Sequence, residues 1–315
     1  ILLLILGATV IIIFQQGQIR NQELARKELG GFIHNFFDTL DTDGDLALAL
    51  ALEVANNPEV QVAFASQDRE RLIELTLPSY EVLNREIGIP QHQFHLAPAT
   101  SFLRLHQLDR YGDDLSSFRP MVVEANVRRT SVSGPEVGRG GLGVRGVTPV
   151  TYGGGHFGTV EFGINISDTL LNTLKEEYGV DWQIFITKEA ASIAQFEGAI
   201  SSTEGPLQDL VLQANTLEFF IDVPAEYYIQ ALGGEIVAVI PIETEGLFFA
   251  VMLAPIRDYS GNIIGVVAVY QDRTVEQNEQ QRIFILNIIA ATVIVALVYG
   301  LLYAIATRTL SPIGK

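Results

Sequence analysis

The chain has 315 residues and a formal net charge of −17, with 37 acidic and 20 basic side chains. This excess of acid argues against nucleic acid and anionic lipid as partners, because both would be repelled. The sequence contains no cysteine, which excludes a disulfide framework, thiolate catalysis and cysteine zinc sites.

The first fourteen residues, ILLLILGATVIIIF, are apolar and uncharged. They are too few to cross a hydrocarbon core of about 30 Å, so we interpret residues 1–14 as the truncated part of a first transmembrane helix. A cleaved signal peptide is the alternative. Phe14-Gln15-Gln16 lacks the small residues that a cleavage site requires, and this favours the transmembrane interpretation.

Residues 15–87 are predicted to be helical. Apolar side chains recur there at roughly helical spacing, and Asn56-Asn57-Pro58 interrupts the pattern. Asn57 is suited to cap a new helix that has Pro58 in its first turn. Because a long helix that leaves the membrane acts as a stalk, this segment is predicted to be the stalk and dimerisation region.

Two modules of strands and helices are predicted next, at residues 88–170 and 171–274. In the first, strands are expected at 93–96, 101–105, 143–152 and 157–166, with a helix at 116–126 and a hairpin turn at Gly153-Gly154-Gly155. A helix at 168–178 leads into the second, where strands are expected at 181–187, 218–223, 236–241, 247–257 and 263–271 and a helix near 207–213. The two modules close with similar hairpins, which points to a repeated unit.

A second apolar segment, residues 283–306, is uncharged and long enough to span a bilayer as a helix. Tyr299, Tyr303 and Arg308 supply the aromatic and basic flank of a membrane boundary. Positive charge near the two spans is too evenly divided to decide the orientation.

Two motifs match known sites only in part. Residues 138–143 fit G-x-G-x-x-G but continue as a strand ending at Pro149, whereas dinucleotide binding needs a helix there. Residues 41–45 hint at a calcium loop, but Thr39 and Leu50 take the positions that need carboxylates. No catalytic residue, metal site or cofactor is predicted.

Cationic and polar side chains are concentrated between His92 and Arg145. Arg104 and His106 are two apart and are expected on one face of a strand, and Arg145 lies in a glycine-rich strand whose N–H groups can approach a ligand. Arginine forks beside a histidine and free amides suit a carboxylate. The predicted ligand-binding residues are His95, Ser101, Arg104, His106, Arg119, Arg139 and Arg145.

The alternative is an internal salt-bridge network in which these arginines brace the fold. Its acidic members would be Asp113, Asp114, Glu124, Glu136 and Glu161. Arg128 and Arg129, adjacent before a turn, are expected to be exposed. Metal binding by the histidines is a weaker alternative.

The segments FHLAPATSFLRLHQLDRYGDDLSSFR and SGPEVGRGGLGVRGVTPVTYGGGHFGTVEFG resemble the membrane-distal module of double Cache sensory domains, found on bacterial sensor kinases, chemoreceptors and cyclic-dinucleotide enzymes. The resemblance covers roughly residues 40–273. It implies an α+β fold: a long N-terminal stalk helix carrying two PAS-like antiparallel-sheet modules, flanked by two transmembrane helices. The distal module, 88–170, would hold the ligand, and 171–274 would be the proximal module. Residues 308–313 resemble the start of a HAMP relay, which assigns 307–315 to a cytoplasmic HAMP-like linker.

A more distant similarity, to citrate- and dicarboxylate-sensing PAS-like domains, matches Arg104 with His106 and the strand 144–149. Val147 stands where those sensors often carry a second cation, and Gly140-Gly141 where a hydroxyl residue is common. These departures disfavour a tricarboxylate and favour a smaller acid.

The sequence therefore predicts the ligand-sensing and transmembrane signalling region of a homodimeric receptor in the bacterial inner membrane. Residues of about 15–282 would be extracytoplasmic, and a small organic acid would be the ligand. No catalysis is expected within these residues, and any enzymatic output domain would follow residue 315. The alternative function is a membrane-tethered scaffold or partner-binding module without a small-molecule ligand.

Overall fold

The computed structural model describes residues 2–194, 206–219 and 221–310. The helices are α1 Leu2–Ala55, α2 Pro58–Ala65, α3 Arg69–Ile87, α4 Pro120–Arg128, α5 Asp168–Tyr178, α6 Lys188–Ala191, α7 Ala225–Leu232 and α8 Thr274–Leu310. The strands are β1 Gln91–Leu96, β2 Thr100–Arg104, β3 Val132–Gly138, β4 Gly141–Tyr152, β5 Gly155–Asn165, β6 Asp181–Thr187, β7 Leu210–Asn215, β8 Val237–Thr244, β9 Leu247–Arg257 and β10 Ile263–Asp272.

Helix α1 ends where the sequence predicts a break. The side chain of Asn57 accepts hydrogen bonds from the backbone N–H groups of Glu59 and Val60, and Pro58 opens α2. This confirms the predicted cap, since an Asn oxygen satisfies amides that the first helical turn leaves free. A second break, at Gln67 with φ 56°, was not predicted and separates α2 from α3.

The first sheet has the strand order β2-β1-β5-β4-β3, and its described pairs are antiparallel. The β4–β5 hairpin turns through Gly153 and Gly154, whose φ values of 59° and 82° glycine adopts without strain. Strand β3 was not predicted, because Gly134 and Pro135 interrupt its pattern. Among the described strands it pairs with β4 alone, at the sheet edge, where proline is tolerated.

The first sheet buries one face against helices α1, α2 and α3. Its apolar core on this side is formed by Ala47, Ala51, Ala55, Val60, Phe64, Leu72, Tyr80, Phe94, Leu103, Val160 and Phe162. Helix α1 passes close over Gly146, where an added Cβ would lie 2.2 Å from the backbone nitrogen of Leu48. The opposite face carries α4, which packs Met121 and Ala125 against Val147.

The second sheet has the order β7-β6-β10-β9-β8, the same arrangement as the first. The antiparallel α+β fold with two similar modules is thus confirmed. The helix predicted near 207–213 is wrong, since β7 Leu210–Asn215 pairs there with β6. Apolar residues at 207, 210 and 211 mimic helical spacing, and pairing at the sheet edge overrides it. The described residues of the strand predicted at 218–223 form no strand, whereas the short helix α7 follows; Phe220 lies outside the described residues.

The N-terminal part of α1 and all of α8 belong to one compact unit. Within it the ring centroids of Phe14 and Phe284 lie 4.3 Å apart, and Asn21 Nδ2 donates to Gln280 Oε1 at 2.7 Å. Among the described residues, only the helix segment Thr274–Arg308 is long and apolar enough to cross a membrane, and it contains the predicted span 283–306. The end of the predicted linker, 311–315, lies outside the described residues.

Candidate functional site

A small cavity lies on the face of the first sheet that carries α4. Its lining residues come from β1, β2, β4, the β3–β4 turn and the loop at residues 105–119, and they are Gln91, Gln93, Arg104, His106, Leu115, Phe118, Arg119, Arg139, Gly140 and Arg145. The cavity volume is about 20 Å³, close to the minimum for a single water molecule. As arranged, the cavity admits nothing larger.

Five of the seven predicted ligand-binding residues line this one cavity: Arg104, His106, Arg119, Arg139 and Arg145. His95 and Ser101 do not line it. They pair with each other one step farther along β1 and β2, beyond a bulge. His106 lies beyond the end of β2 at Arg104, so the prediction that both residues lie in one strand is wrong, although both reach the cavity.

Arg119 and Arg145 converge on the buried carboxylate of Glu161. Arg119 Nη2 donates to Glu161 Oε2 at 2.6 Å, and Arg145 Nη1 donates to Glu161 Oε1 at 3.0 Å. Arg119 Nε also donates to Glu136 at 2.7 Å, and Arg145 Nη1 donates to Gln91 at 2.6 Å. Burial alone would raise the pKa of Glu161, but Arg119 and Arg145 outweigh it and hold that pKa at about 2. These four charged side chains form an ionic core, in which Arg145 Nε is buried without a hydrogen-bond partner.

A second ionic cluster lies beside the first and is more open to solvent. The carboxylate of Asp113 accepts from Arg104 Nη1 at 2.8 Å and from Arg104 Nη2 at 2.9 Å. It also accepts from Arg139 Nη1 at 2.9 Å. Partial burial would raise the pKa of Asp113, but its ion pairs, chiefly with Arg104, leave that pKa below its usual value.

The histidines near the site are neutral at pH 7. Burial lowers the pKa of His92 to about 4, that of His95 to about 3 and that of His106 to about 4. His92 lies on the opposite face of the sheet, stacked on Phe162 with 3.9 Å between ring centroids. His106 therefore presents a neutral imidazole to the cavity, and the positive charge there comes from arginine.

The alternative of a bracing network is supported for part of the set. Asp113, Glu136 and Glu161 do pair with candidate arginines. Asp114 instead accepts from Ser116, and Glu124 pairs with Arg128 on the surface. Arg128 and Arg129 are exposed, as predicted.

Several lining residues escaped the sequence argument, notably Gln91, Gln93 and Phe118. The signal that could have found the glutamines is their alternation with His95 along β1, because three polar side chains on one face of a buried strand need polar partners. Among the described residues, no group of three or more His, Asp or Glu side chains is arranged to hold a metal ion.

The sequence model of one protein family, described as the double sensory domain of two-component sensor kinases, matches residues 33–275. A search of curated proteins found no match. Several solved structures are similar in fold. The sensor domain of the V. cholerae histidine kinase DctB is 11% identical with a TM-score of 0.46, covering 81% of this chain and 98% of that one.

The ligand-binding domain of the Campylobacter jejuni chemoreceptor Tlp3, in complex with L-valine, is 11% identical with a TM-score of 0.48, covering 82% of this chain and 95% of that one. The periplasmic domain of V. cholerae LuxQ is 13% identical with a TM-score of 0.39, covering 81% and 99%. At such low identity these similarities carry no information about a ligand.

Proposed function

Because the chain belongs to the dCache_3 family of double sensory domains, we propose that it is the extracytoplasmic, ligand-sensing and signal-transmitting region of a bacterial membrane receptor. In this proposal α8 crosses the inner membrane through residues 283–306, and residues 1–14 contribute to a first span. Residues of about 15–282 then lie outside the cytoplasm. The module at 88–170 is membrane-distal, and the module at 171–274 is membrane-proximal.

The distal module binds a small molecule that bears a carboxylate, in the cavity lined by the arginines. The observation that carries this proposal is the balance of charge around the cavity. Among the described residues there, four arginines face three carboxylates, and the nearby histidines are neutral. This leaves a net positive charge at the cavity, which favours an anion, and arginine forks bind a carboxylate in bidentate fashion.

The ligand is a small acid that enters when the 105–119 loop moves. A cavity of about 20 Å³ is far below the size of a typical ligand pocket. The loop supplies Leu115 and Phe118 to the lining, so its displacement enlarges the site. Such a displacement transmits a signal only if the ligand binds the two conformations with different affinity.

The proximal module mainly transmits the signal and does not bind the ligand. Its cations are separated in sequence, and three of them are engaged elsewhere: Lys175 pairs with Asp181, Arg257 Nη1 donates to the carbonyl oxygen of Gly261, and Arg273 pairs with Glu28. Tyr228 and Tyr270 are buried, and their hydroxyl oxygens lie 3.3 Å apart. The Tyr270 hydroxyl donates to Gln183 Oε1 at 2.6 Å. These aromatic side chains serve the core rather than a site for an anion.

The receptor is a parallel homodimer whose two-fold axis runs along α1. Large apolar side chains on this helix remain exposed in the single chain, and Leu24, Leu46 and Leu52 are among them. A second copy of the same helix would cover them in an isologous interface.

The scaffold alternative keeps one specific observation in its favour. Arg119 and Arg145 are 4% and 1% exposed and are held by Glu136, Glu161 and Gln91. Removing either leaves a buried carboxylate short of a partner, which is strongly destabilising. For these two arginines, loss of binding after mutation cannot be separated from loss of folding, and the test must use other positions.

The test is calorimetric binding of small organic acids to the full chain in detergent micelles, with the acids first selected by thermal shift. Arg139→Gln is the informative variant, because this side chain lines the cavity yet is partly exposed. We expect its affinity for the acid to fall by roughly tenfold to a hundredfold, the worth of a charge-assisted hydrogen bond. Arg128→Gln, on the exposed end of α4, is the matched control and should bind as the wild type does.

Two results would count against a carboxylate receptor. One is that no acid raises the melting temperature of the wild-type chain. The other is that Arg139→Gln and Arg128→Gln bind a selected acid equally well, which would leave the arginines with the bracing role alone.

A further inference from the structure

Asp113 differs from the other two carboxylates at the cavity. Glu136 and Glu161 are 4% and 0% exposed and belong to strands β3 and β5, whereas Asp113 is 27% exposed and lies in the 105–119 loop. Moving a buried glutamate would leave two buried arginines without a carboxylate partner. Asp113 can instead pass into water, provided that the ligand takes its place on Arg104, which is itself buried.

We propose that Asp113 is an internal surrogate for the carboxylate of the ligand, occupying Arg104 and Arg139 until the ligand displaces it. The proposal rests on the proposed function and adds a mechanism of opening. Asp113 grips Arg104 with both oxygens and Arg139 with one. A free carboxylate placed on the same two guanidinium groups would make the same three bonds, so the exchange conserves the charge and the side-chain bonds to the carboxylate. Arg104 Nη1 also donates to the carbonyl oxygen of Arg110 in the loop at 3.0 Å, a bond that movement of the loop would break.

The 105–119 loop is fastened to the sheet around this ion pair. Ser101 donates its backbone N–H to the carbonyl oxygen of Asp113 at 3.0 Å, and Gly112 donates to Ser101 at 2.7 Å. Leu115 donates in turn to Ala99 at 2.8 Å. These three bonds form a short backbone ladder between residues 99–101 and the part of the loop that contains Asp113.

The outer side of the loop is held by α3. The guanidinium of Arg69 lies 4.3 Å from the ring centroid of Tyr111, and its Nη2 donates to the carbonyl oxygen of Leu108. When Asp113 leaves the arginines, the ladder loses its central ion pair while this outer attachment stays. The part of the loop around Asp113 then lifts about Arg69 while Arg119 stays on Glu136 and Glu161, and Leu115 and Phe118 move away from the cavity.

This arrangement predicts an unusual signature: loss of the carboxylate should weaken the resting fold and strengthen ligand binding. The ligand competes with Asp113 for the same donors, so its apparent affinity is the intrinsic affinity multiplied by the fraction of molecules in which Asp113 is released. A residue that merely braces the site would lower stability without improving affinity.

The experiment is rescue of Asp113→Ala by formate, the smallest carboxylate, with the full chain in detergent micelles. Melting temperatures are measured by calorimetry in sodium formate and in sodium chloride at equal ionic strength. We expect Asp113→Ala to melt below the wild type in chloride and to recover part of the loss in formate, while the wild type is indifferent to the salt. Asp114→Ala is the matched control, because Asp114 accepts from Ser116 and pairs with neither arginine; formate should not help it.

The isosteric variant Asp113→Asn provides a second measurement if Asp113→Ala does not fold. Its affinity for an acid that the wild type binds should rise by roughly tenfold, because a competing charge-assisted contact is gone. Equal or weaker affinity, or equal effects of formate and chloride on Asp113→Ala, would overturn the proposal.

The two proposals fail separately. Formate rescue needs no natural ligand, so a wild type that binds no acid would remove the proposed function and the surrogate role with it, whereas rescue would still show that Arg104 and Arg139 accept a free carboxylate. A wild type that binds an acid, together with an Asp113→Ala variant that formate does not rescue, would remove the surrogate role alone.

Discussion

Tyr259 donates its backbone N–H to the carbonyl oxygen of Pro135 across 2.9 Å. Tyr259 lies in the β9–β10 turn and Pro135 in β3, the edge strand of the first sheet. The fit is close, since a Cβ added to Gly134 would lie 3.0 Å from the Cβ of Tyr259. The Tyr259 ring packs on the cluster of Met121 and its neighbours in α4, directly after Arg119 in the chain. A turn of the second sheet therefore contacts the helix that covers the candidate site.

We expect Tyr259→Ala to lower the free energy of unfolding by about 2 kcal/mol, less than for a fully buried aromatic residue. If this turn joins the two sheets into one cooperative structure, the variant should also split the unfolding transition. Differential scanning calorimetry of the full chain measures both effects.

The matched control is Tyr259→Phe, which keeps the packing and removes the hydroxyl. Burial and the hydrogen bond to Glu124 raise the pKa of Tyr259, so the hydroxyl is protonated at neutral pH and its loss should cost under about 1 kcal/mol. Equal destabilisation by the two substitutions would show that the hydrogen bond, and not the ring, is what matters.

The stability of the chain should fall as the pH is lowered from about 6.5 to 4. His92 and His106 have pKa values lowered by burial from 6.5 to about 4. In this window the two histidines bind protons in the unfolded chain but not in the folded chain. The stability of the folded chain is therefore complete with respect to these histidines above pH 6.5 and is reduced on acidification. Glu161, with its pKa lowered from 4.5 to about 2, adds a further loss below pH 4.5.

The measurement is the free energy of unfolding as a function of pH. His92→Phe should flatten the slope by up to roughly 1.4 kcal/mol per pH unit, the worth of one proton. An unaltered slope in His92→Phe would mean that His92 is not the group that titrates.

Local chemistry made much of the fold predictable. The Asn57-Pro58 start of α2 and the Gly153-Gly154 turn are encoded by residues that stand side by side in the sequence, so their outcome does not depend on distant parts of the chain. Strands β3 and β7 were missed or misassigned because a partner strand determines them. Gly134 and Pro135 disfavour a strand locally, and pairing with β4 stabilises one nonetheless.

The ionic core could not be predicted for the same reason. Arg119 is 42 residues from Glu161, and Arg145 is 54 residues from Gln91, so spacing along the chain says nothing about which arginine meets which acceptor. Composition showed that the cations are concentrated in the first module. It could not distinguish Arg145, which is enclosed by Glu161 and Gln91, from Arg139, which stays partly open.

Gly146→Ala should destabilise the first module by about 3 kcal/mol, because the new Cβ would lie 2.2 Å from the nitrogen of Leu48 and must push α1 away from the sheet. The matched control should change stability in the opposite direction. Gly31, on α1, has no atom within 4 Å of an added Cβ, so Gly31→Ala should raise stability by up to about 1 kcal/mol through helix propensity. Chemical denaturation of both variants checks the pair, and similar effects from the two would contradict the close crossing of α1.

Single cysteines placed on α1 test the parallel homodimer, and the absence of native cysteine makes the background clean. Leu24→Cys, Leu46→Cys and Leu52→Cys replace exposed apolar side chains, one at a time. In a dimer whose axis follows α1, a residue that faces the axis lies next to its own copy. We therefore expect at least one of the three to form a disulfide-linked dimer under mild oxidation, seen on a non-reducing gel of detergent-solubilised chain. Val127→Cys, 71% exposed on α4, is the control for random collision, and crosslinking no faster than this control at all three positions would rule out the proposed axis.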